Sequence, residues 1–400
     1  MGNQLNTAVI VDGVRTPIGR MGGSLATFRP EELGAFAIKA LIEKTKVDPE
    51  TIDDVIMGLS NSWHAAYHPA RWAALKAGLP YSVPAVTVER ACASGLQALN
   101  FAAMQVMAGF GDVYVVGGME CWSQTPWMIA RSDAAYSFTP PQIISRETAP
   151  PPDHVIMGLT AESLAEMYDI TREDQDAFGY QSQRRCAQAR DAGVFEEEIV
   201  SLKVPQRKGP PVDFATDEHP RDTTLEKLSN LKPAFKKDGT VTAGTATGRN
   251  DGAAALLVMS VQKAEALGYQ PKARFVTCAT VGVDPKLMGI GPGYAVPKAL
   301  AHAGLTMDDM SVVEINEAFA AQVLADIREL DRQKHRIAPD DERLNPNGGA
   351  IALGHPNGMT GARLALTTVN ELQRRQGRYG LATLCIGGGQ GLATIFERLT

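Results

Sequence analysis

The stretch Ala91-Cys92-Ala93-Ser94-Gly95 opens a run in which the apolar positions Leu96, Leu99, Ala103, Val106 and Phe110 recur at helical spacing. Asp112 follows, and then an apolar strand from Val113 that ends at Gly117-Gly118. The C-terminal region repeats this order of loop, helix, strand and glycine loop. There the loop carries His355, the helix runs through Leu364, Thr368 and Leu372, the strand spans Tyr379 to Ile386, and Gly387-Gly388-Gly389 closes the unit. A duplicated α/β architecture accounts for both, with buried, mostly parallel strands such as Thr7 to Val11 and Val113 to Val116. It places the Cys92 and His355 loops at equivalent points of two sheets. Ligands collect at strand carboxyl ends in open α/β sheets, so the active site is expected between the halves.

The chemistry in these loops is that of thiols. Cys92 opens a predicted helix, where unsatisfied N–H groups and the helix dipole favour the nucleophilic thiolate. Cys385 closes a predicted strand in Cys385-Ile386-Gly387-Gly388-Gly389-Gln390-Gly391. The glycine-rich element Asn345-Pro346-Asn347-Gly348-Gly349-Ala350-Ile351-Ala352-Leu353-Gly354-His355-Pro356 supplies an imidazole able to serve either sulfur as base. Taken singly, each of these residues has a plainer reading: a small buried cysteine, a turn histidine, a strand-end cysteine packed under glycines.

Composition narrows the remaining classes. Four hundred residues suggest two or three domains, and hydrophobic residues make up 44% of the chain, with no run of the roughly 18 apolar residues a membrane span needs. The formal net charge is −6, with no basic run or aromatic-interleaved basic patch, which argues against nucleic acid as a partner. Five cysteines (Cys92, Cys121, Cys186, Cys278, Cys385) form no Cys-x-x-Cys pair, so neither a disulfide framework nor a zinc site is indicated and a reducing compartment fits best. Met1-Gly2-Asn3-Gln4-Leu5-Asn6 lacks a signal-peptide pattern and Glu397-Arg398-Leu399-Thr400 is no peroxisomal signal, so the expected location is cytoplasmic.

Between about 119 and 250, Pro140-Pro141, Pro150-Pro151-Pro152 and Gly209-Pro210-Pro211 break any regular sheet pattern, as an inserted loop domain would. Within it, Thr171-Arg172-Glu173-Asp174 starts a helix running to about Ala192, with Gly193 as its C′ residue and Cys186 packed inside. Val312 to Phe319 reads as strand into helix, with Asn316 at the junction, where it is a candidate helix cap. The expected division is residues 1–118 with 251–272 as an N-terminal half, 119–250 as the insertion and 273–400 as a C-terminal half.

Together these blocks resemble the thiolase family, over nearly the entire chain. The matching stretches are Cys92 to Ala98, Gly117-Gly118-Met119-Glu120, Asp217-Glu218-His219-Pro220-Arg221, Leu231-Lys232-Pro233-Ala234-Phe235, Thr240-Val241-Thr242-Ala243-Gly244, Asn316-Glu317-Ala318-Phe319, Gly348 to Pro356, and Cys385 to Gly389. The resemblance implies two similar α/β halves in a five-layer αβαβα arrangement with a loop domain contacting CoA, assembled as a homodimer or homotetramer. It implies thiolytic cleavage of 3-ketoacyl-CoA, or the reverse condensation, with coenzyme A as co-substrate and no bound metal or redox cofactor. Acyl-CoA and CoA are then the partners, with no nucleic acid and no membrane.

Residue by residue, the resemblance makes Cys92 the nucleophile, His355 its base near neutral pKa, and Cys385 the acid/base for the carbanion. Asn316 holds a water that shares an oxyanion site with His355, and the N–H groups of Cys92 and Gly387 form a second such site. Arg221 falls near the CoA nucleotide and Thr247 near the pantetheine, while Met157, Met288 and Phe319 line the acyl and pantetheine pocket. For Arg221 the plain alternative is a solvated charge, and for the three apolar residues it is core packing.

The sequence departs from the family pattern at several points. Ile156 stands where acetoacetyl-CoA-specialised thiolases usually carry histidine, Thr245 and Thr247 replace asparagine and serine, and Arg249 follows where an apolar residue is common. Asn357 and Met359 replace the usual small or apolar residues after His-Pro, and residues 61–68 hold two histidines and a tryptophan unlike the common pattern. A ketosynthase-like condensing enzyme would use two histidines, or histidine and asparagine, where this chain has Cys385. A thiolase-like acyl-CoA-binding or condensing subunit with little thiolysis of its own would not need the intact set of Cys92, Asn316, His355 and Cys385.

Overall fold

Long apolar runs such as Asn250–Ser260 and Val113–Cys121 are buried at every position, which requires cover on both faces of the sheet they form. The computed structural model describes residues 6–63, 65–130, 140, 142–144 and 147–399. Met1 to Leu5, His64, Pro141 and Thr400, which enter the sequence reading above, lie outside the described residues.

Nine strands follow one another across the main sheet in the order Met310–Ile315, Tyr379–Ile386, Gln390–Arg398, Ala273–Gly282, Ala8–Arg15, Asn250–Ser260, Val113–Cys121, Asp54–Gly58, Ala85–Val88. The two halves join where Val9 and Ile10 pair with Arg274 and Ala273. From that seam the pairing reads antiparallel, antiparallel, parallel in each direction. The next step outward in the N-terminal half is the parallel strand Ala85–Val88, and in the C-terminal half it is a single parallel bridge from Val313 to Leu344. The repeat read from the sequence is thus present in strand order and direction. The mostly parallel sheet is corrected: each half is mixed, and the seam itself is antiparallel. A continuous apolar run reports that both faces are covered and says nothing of the neighbour's direction.

Three separate cores give the layers. The middle one joins Val116 and Leu256 of one half-sheet and Leu384 and Leu392 of the other to Leu96 and Val106 of the helix Ser94–Ala108 and Leu364 and Leu372 of the helix Asn357–Arg375. One outer core packs Leu33 and Leu41 of the helix Pro30–Thr45 on Val115 and Leu257. The other packs Leu300 and Leu324, from the helices Gly291–Ala303 and Ala320–Arg332, on Leu381 and Ile395. Helix, sheet, helix pair, sheet, helix is the five-layer arrangement.

The two central helices approach backbone to backbone. A Cβ on Gly95 would stand 2.8 Å from both Ala362 N and Gly358 O, and one on Gly361 would run into the Leu96 backbone. This contact sets the site, because Cys92 immediately precedes one of these helices and His355 the other. Glu120 fastens the same junction: its buried carboxylate accepts from Gly358 N at 3.0 Å and Ser60 N at 3.2 Å. The segment between Cys121 and Asn250 carries the helices Met157–Met167 and Arg172–Asp191, the second capped by Thr171 and followed by left-handed Gly193, with Cys186 buried inside. Among the described residues no helix is long and apolar enough to cross a membrane.

Candidate active site

Cys92 sits in the 3-10 turn Ala91–Ala93, ahead of the helix Ser94–Ala108. Ala91 before it holds φ at 41°, a left-handed conformation unfavourable for a residue with a Cβ, so the loop that carries Cys92 is strained. Asn357 Nδ2 donates to Cys92 Sγ at 3.0 Å, and the backbone N–H groups of Gly387 and of Cys92 itself are aimed at the same sulfur. The expectation that the helix terminus lowers this thiol is corrected: burial pushes the Cys92 thiol above its usual value, outweighing the three donors.

His355 follows left-handed Gly354 and is fixed at both ends. Its backbone N–H donates to Asn250 Oδ1 at 3.0 Å, and its Nδ1 lies 2.6 Å from Thr360 Oγ1. Thr360 Oγ1 gives its own proton to Pro356 O at 2.9 Å, so it accepts from Nδ1–H, and the network assigns the bare lone pair to Nε2. Asn357 Nδ2 stands 3.3 Å from that nitrogen. Burial, aided by the Arg363 cation, brings the imidazole down to about 3. The near-neutral pKa expected of this base is therefore corrected, and His355 is uncharged at neutral pH.

Cys385 ends the buried strand Tyr379–Ile386, and burial, with the neighbouring Cys92 next in weight, holds its thiol well above the usual range. Gly387 faces open space: a Cβ there would touch only Ala91 Cβ and Met157 Sδ, each at 3.9 Å. Met157 thus borders the room beside Gly387, whose N–H is aimed at Cys92. Met288 and Phe319 are buried in the same outer core as Cys385, Phe319 edge-on to Phe235 at 5.9 Å, so the packing reading describes their contacts.

Asn316 is fully buried, and among the described residues neither its side-chain nitrogen nor its oxygen has a hydrogen-bond partner. It does not cap the following helix, which starts at Ala320 with Phe319 as its N-cap. A buried unpaired amide costs about 1–3 kcal/mol, which marks Asn316 as a group awaiting a partner. Thr247 donates its hydroxyl proton to Ala350 O at 2.8 Å, leaving its oxygen free to accept. Arg221 is exposed and donates to Ala243 O at 3.2 Å. The buried Arg15 anchors its motif, with bonds of 2.7 and 2.9 Å to Asp217. Cys92, His355, Cys385, Gly387 and Met157 thus come together, and Arg221 lies at the surface, its guanidinium 3.5 Å from His219 Nε2, whose Nδ1 is 3.3 Å from Asn250 Nδ2. A cavity of about 270 Å³ lined by Cys186, Phe195 and Asp217 includes none of these site residues.

The profile of the thiolase N-terminal domain matches residues 8–262 and that of the thiolase C-terminal domain residues 269–398. The chain belongs to the thiolase family. It is 46% identical over 412 residues to the 3-oxoadipyl-CoA/3-oxo-5,6-dehydrosuberyl-CoA thiolase of Escherichia coli K12, covering 99% of this chain and 100% of that one. It is 47% identical over 394 residues to the acetyl-CoA acetyltransferase of Chromobacterium violaceum, covering 97% and 99%. The acetyl-CoA acetyltransferase of Bacillus anthracis superposes with a TM-score of 0.93 at 42% identity over 100% of both chains. Human mitochondrial 3-ketoacyl-CoA thiolase in complex with CoA does so with 0.92 at 40% identity over 99% of each. This thiolase is an acyltransferase acting on acyl-CoA and CoA. Among its described residues no group of three or more His, Cys, Asp or Glu side chains comes together to hold a metal ion.

Sequence reasoning noticed Asn357 only as a departure and did not single out Thr360, Asn250 or Trp122. A polar residue directly after His-Pro, where apolar ones are common, was the available signal for Asn357. For Trp122, whose Nε1 donates to Asn357 Oδ1 at 2.6 Å across 235 residues, the sequence carried none.

Proposed function

We propose that this thiolase cleaves 3-ketoacyl-CoA with CoA, and runs the reverse condensation, by a ping-pong mechanism through acyl-Cys92. The observation that supports this most is the convergence of Gly387 N–H, Asn357 and Cys385 on Cys92, with the free Nε2 of His355 beside the same amide. Cys92 S–H gives its proton to Nε2, and the thiolate attacks C3 of the substrate. The N–H groups aimed at Sγ are placed to serve the oxygen that gains charge there. The C2–C3 bond then breaks, its electron pair stays on C2 of the departing acetyl-CoA, and Cys385 S–H protonates that carbon. In the second half, the Cys385 thiolate takes the proton of an incoming CoA thiol, which attacks the thioester carbonyl. Acyl-CoA leaves, and His355 returns its proton to Cys92.

In this reading Asn316 supplies the partner for a water beside the substrate oxygen, Arg221 and Thr247 meet CoA, and Met157, Met288 and Phe319 border the thioester arm. The insertion 119–250, the dimer or tetramer, and a cytoplasmic location belong to the same proposal. The relatives' substrates include a dicarboxylic 3-oxoacyl-CoA and acetyl-CoA, so the test spans chain length and charge. CoA-dependent loss of the 3-ketoacyl-CoA enolate absorbance is expected in the wild type and abolished in Cys92→Ala. Binding of CoA thioesters without turnover at any length would overturn it and favour a binding or partner-dependent condensing subunit.

A further inference from the structure

Two of the positions at which this chain departs from the family's usual apolar residues, Arg249 and Asn357, meet on opposite sides of one tryptophan. The guanidinium of Arg249 lies over the Trp122 ring, 5.1 Å from its centroid, and the Trp122 Nε1–H donates to Asn357 Oδ1 at 2.6 Å. An amide has one acceptor end and one donor end. With Oδ1 committed to the indole, the NH₂ end must face the other way, where it meets Cys92 Sγ at 3.0 Å and His355 Nε2 at 3.3 Å. Arg249 is restrained as well, because its backbone bridges to that of His355, and its side chain has no carboxylate partner among the described residues.

We propose that Asn357 is a catalytic hydrogen-bond donor to the Cys92 thiolate, and that Trp122 is the positioning residue that keeps its amide from flipping. When Cys92 passes its proton to His355 Nε2, charge appears on Sγ, and Nδ2–H is already directed at it. When the sulfur is acylated that charge is gone, and the same donor turns to the neighbouring Nε2 only while the imidazole is neutral. The amide therefore favours the two unacylated states in which the sulfur or the nitrogen offers a lone pair. An aliphatic side chain at 357 could fill the space and do neither. Through its role in turnover this inference rests on the thiolase reading above. Its effect on the resting sulfur does not.

The test is alkylation of Cys92 by iodoacetamide, followed by mass analysis of the Cys92 peptide across pH in the full-length protein. The titratable groups facing Cys92 are His355 from the glycine loop, Cys385 from the strand Tyr379–Ile386 and Glu120 from the strand Val113–Cys121. Neither Asn357→Leu nor Trp122→Phe alters any of them. A hydrogen bond to a charged group supports about a tenfold change, so Asn357→Leu should alkylate about tenfold more slowly at pH 7, with the midpoint about one pH unit higher. Trp122→Phe keeps the stacking ring, removes only the N–H, and should slow alkylation about threefold in the same direction. In thiolysis both losses should appear in kcat with KM nearly unchanged, a split that a merely structural defect would not give. Wild-type alkylation rates and midpoints in both variants would overturn the proposal, as would a Trp122→Phe profile unchanged should Asn357→Leu fail to fold. Failure of the thiolase reading would show separately, as absent turnover in the wild type.

Discussion

Thr360 Oγ1 lies 2.6 Å from His355 Nδ1 while its own proton is held by Pro356 O, five and four residues away around the start of one helix. This arrangement decides which imidazole nitrogen is free. Removing it should cost catalysis without costing the fold. Thr360→Val, nearly isosteric at a buried position, frees Nδ1 to lose its proton, and kcat should fall on the order of tenfold to a hundredfold, part of what a positioned general base supplies. Steady-state thiolysis beside circular dichroism checks this, and an unchanged kcat would show that the tautomer is fixed elsewhere.

The pH dependence follows from burial. Cys92 sits above its usual value and His355 near 3, so the resting pair at pH 7 is thiol and neutral imidazole. Alkylation of Cys92 should climb with pH through the alkaline range and show no inflection near 6.5. A plateau reached below pH 7 would indicate a preformed thiolate–imidazolium pair.

Stability should also fall as pH falls, on the acid side. His355 at about 3 and His219 at about 4 both lie below the unfolded value of 6.5, so the unfolded chain binds protons first as pH falls. Their contribution is intact above 6.5 and is lost progressively between 6.5 and the folded values, at about 1.4 kcal/mol per pH unit for each histidine. Unfolding midpoints in urea measured from pH 7.5 to 5 should fall, and His219→Gln should flatten the slope. Equal slopes in both proteins would rule out His219 as a source.

Asn316 separates function from stability. Its buried side chain makes no hydrogen bond among the described residues, so Asn316→Ala should leave stability within about 1 kcal/mol of the wild type or raise it. If the amide serves a water at the developing oxyanion, kcat should fall on the order of a hundredfold. A variant that is both inactive and strongly destabilised would mark Asn316 as structural.

Much of this site was legible in the sequence because it rests on local patterns. The strand Tyr379–Ile386, the capped helix Arg172–Asp191 and the repeated unit that brings Cys92 and His355 to equivalent ends are written in short-range periodicity and glycine placement. Strand direction was not legible, since the run Asn250–Ser260 would look the same beside a parallel neighbour. The protonation of Cys92 and His355 was misjudged because burial is a tertiary quantity that overrides the local helix dipole. Nothing in the one-dimensional pattern pairs Trp122 with Asn357, which meet where the strand Val113–Cys121 and the start of the helix Asn357–Arg375 approach backbone to backbone at Gly118 and Gly358.

Every step of the proposed cycle turns on Cys92 carrying the acyl group. Incubation with acetyl-CoA alone, followed by peptide mass analysis under acidic quench, tests it without any assumption about acyl length, because transfer releases CoA and leaves the thioester behind. An acetyl mass is expected on the Cys92 peptide, absent from the peptides of Cys121, Cys186, Cys278 and Cys385 and removed by added CoA. An acetyl group on Cys385 instead, or none on any cysteine while CoA thioesters still bind, would contradict it.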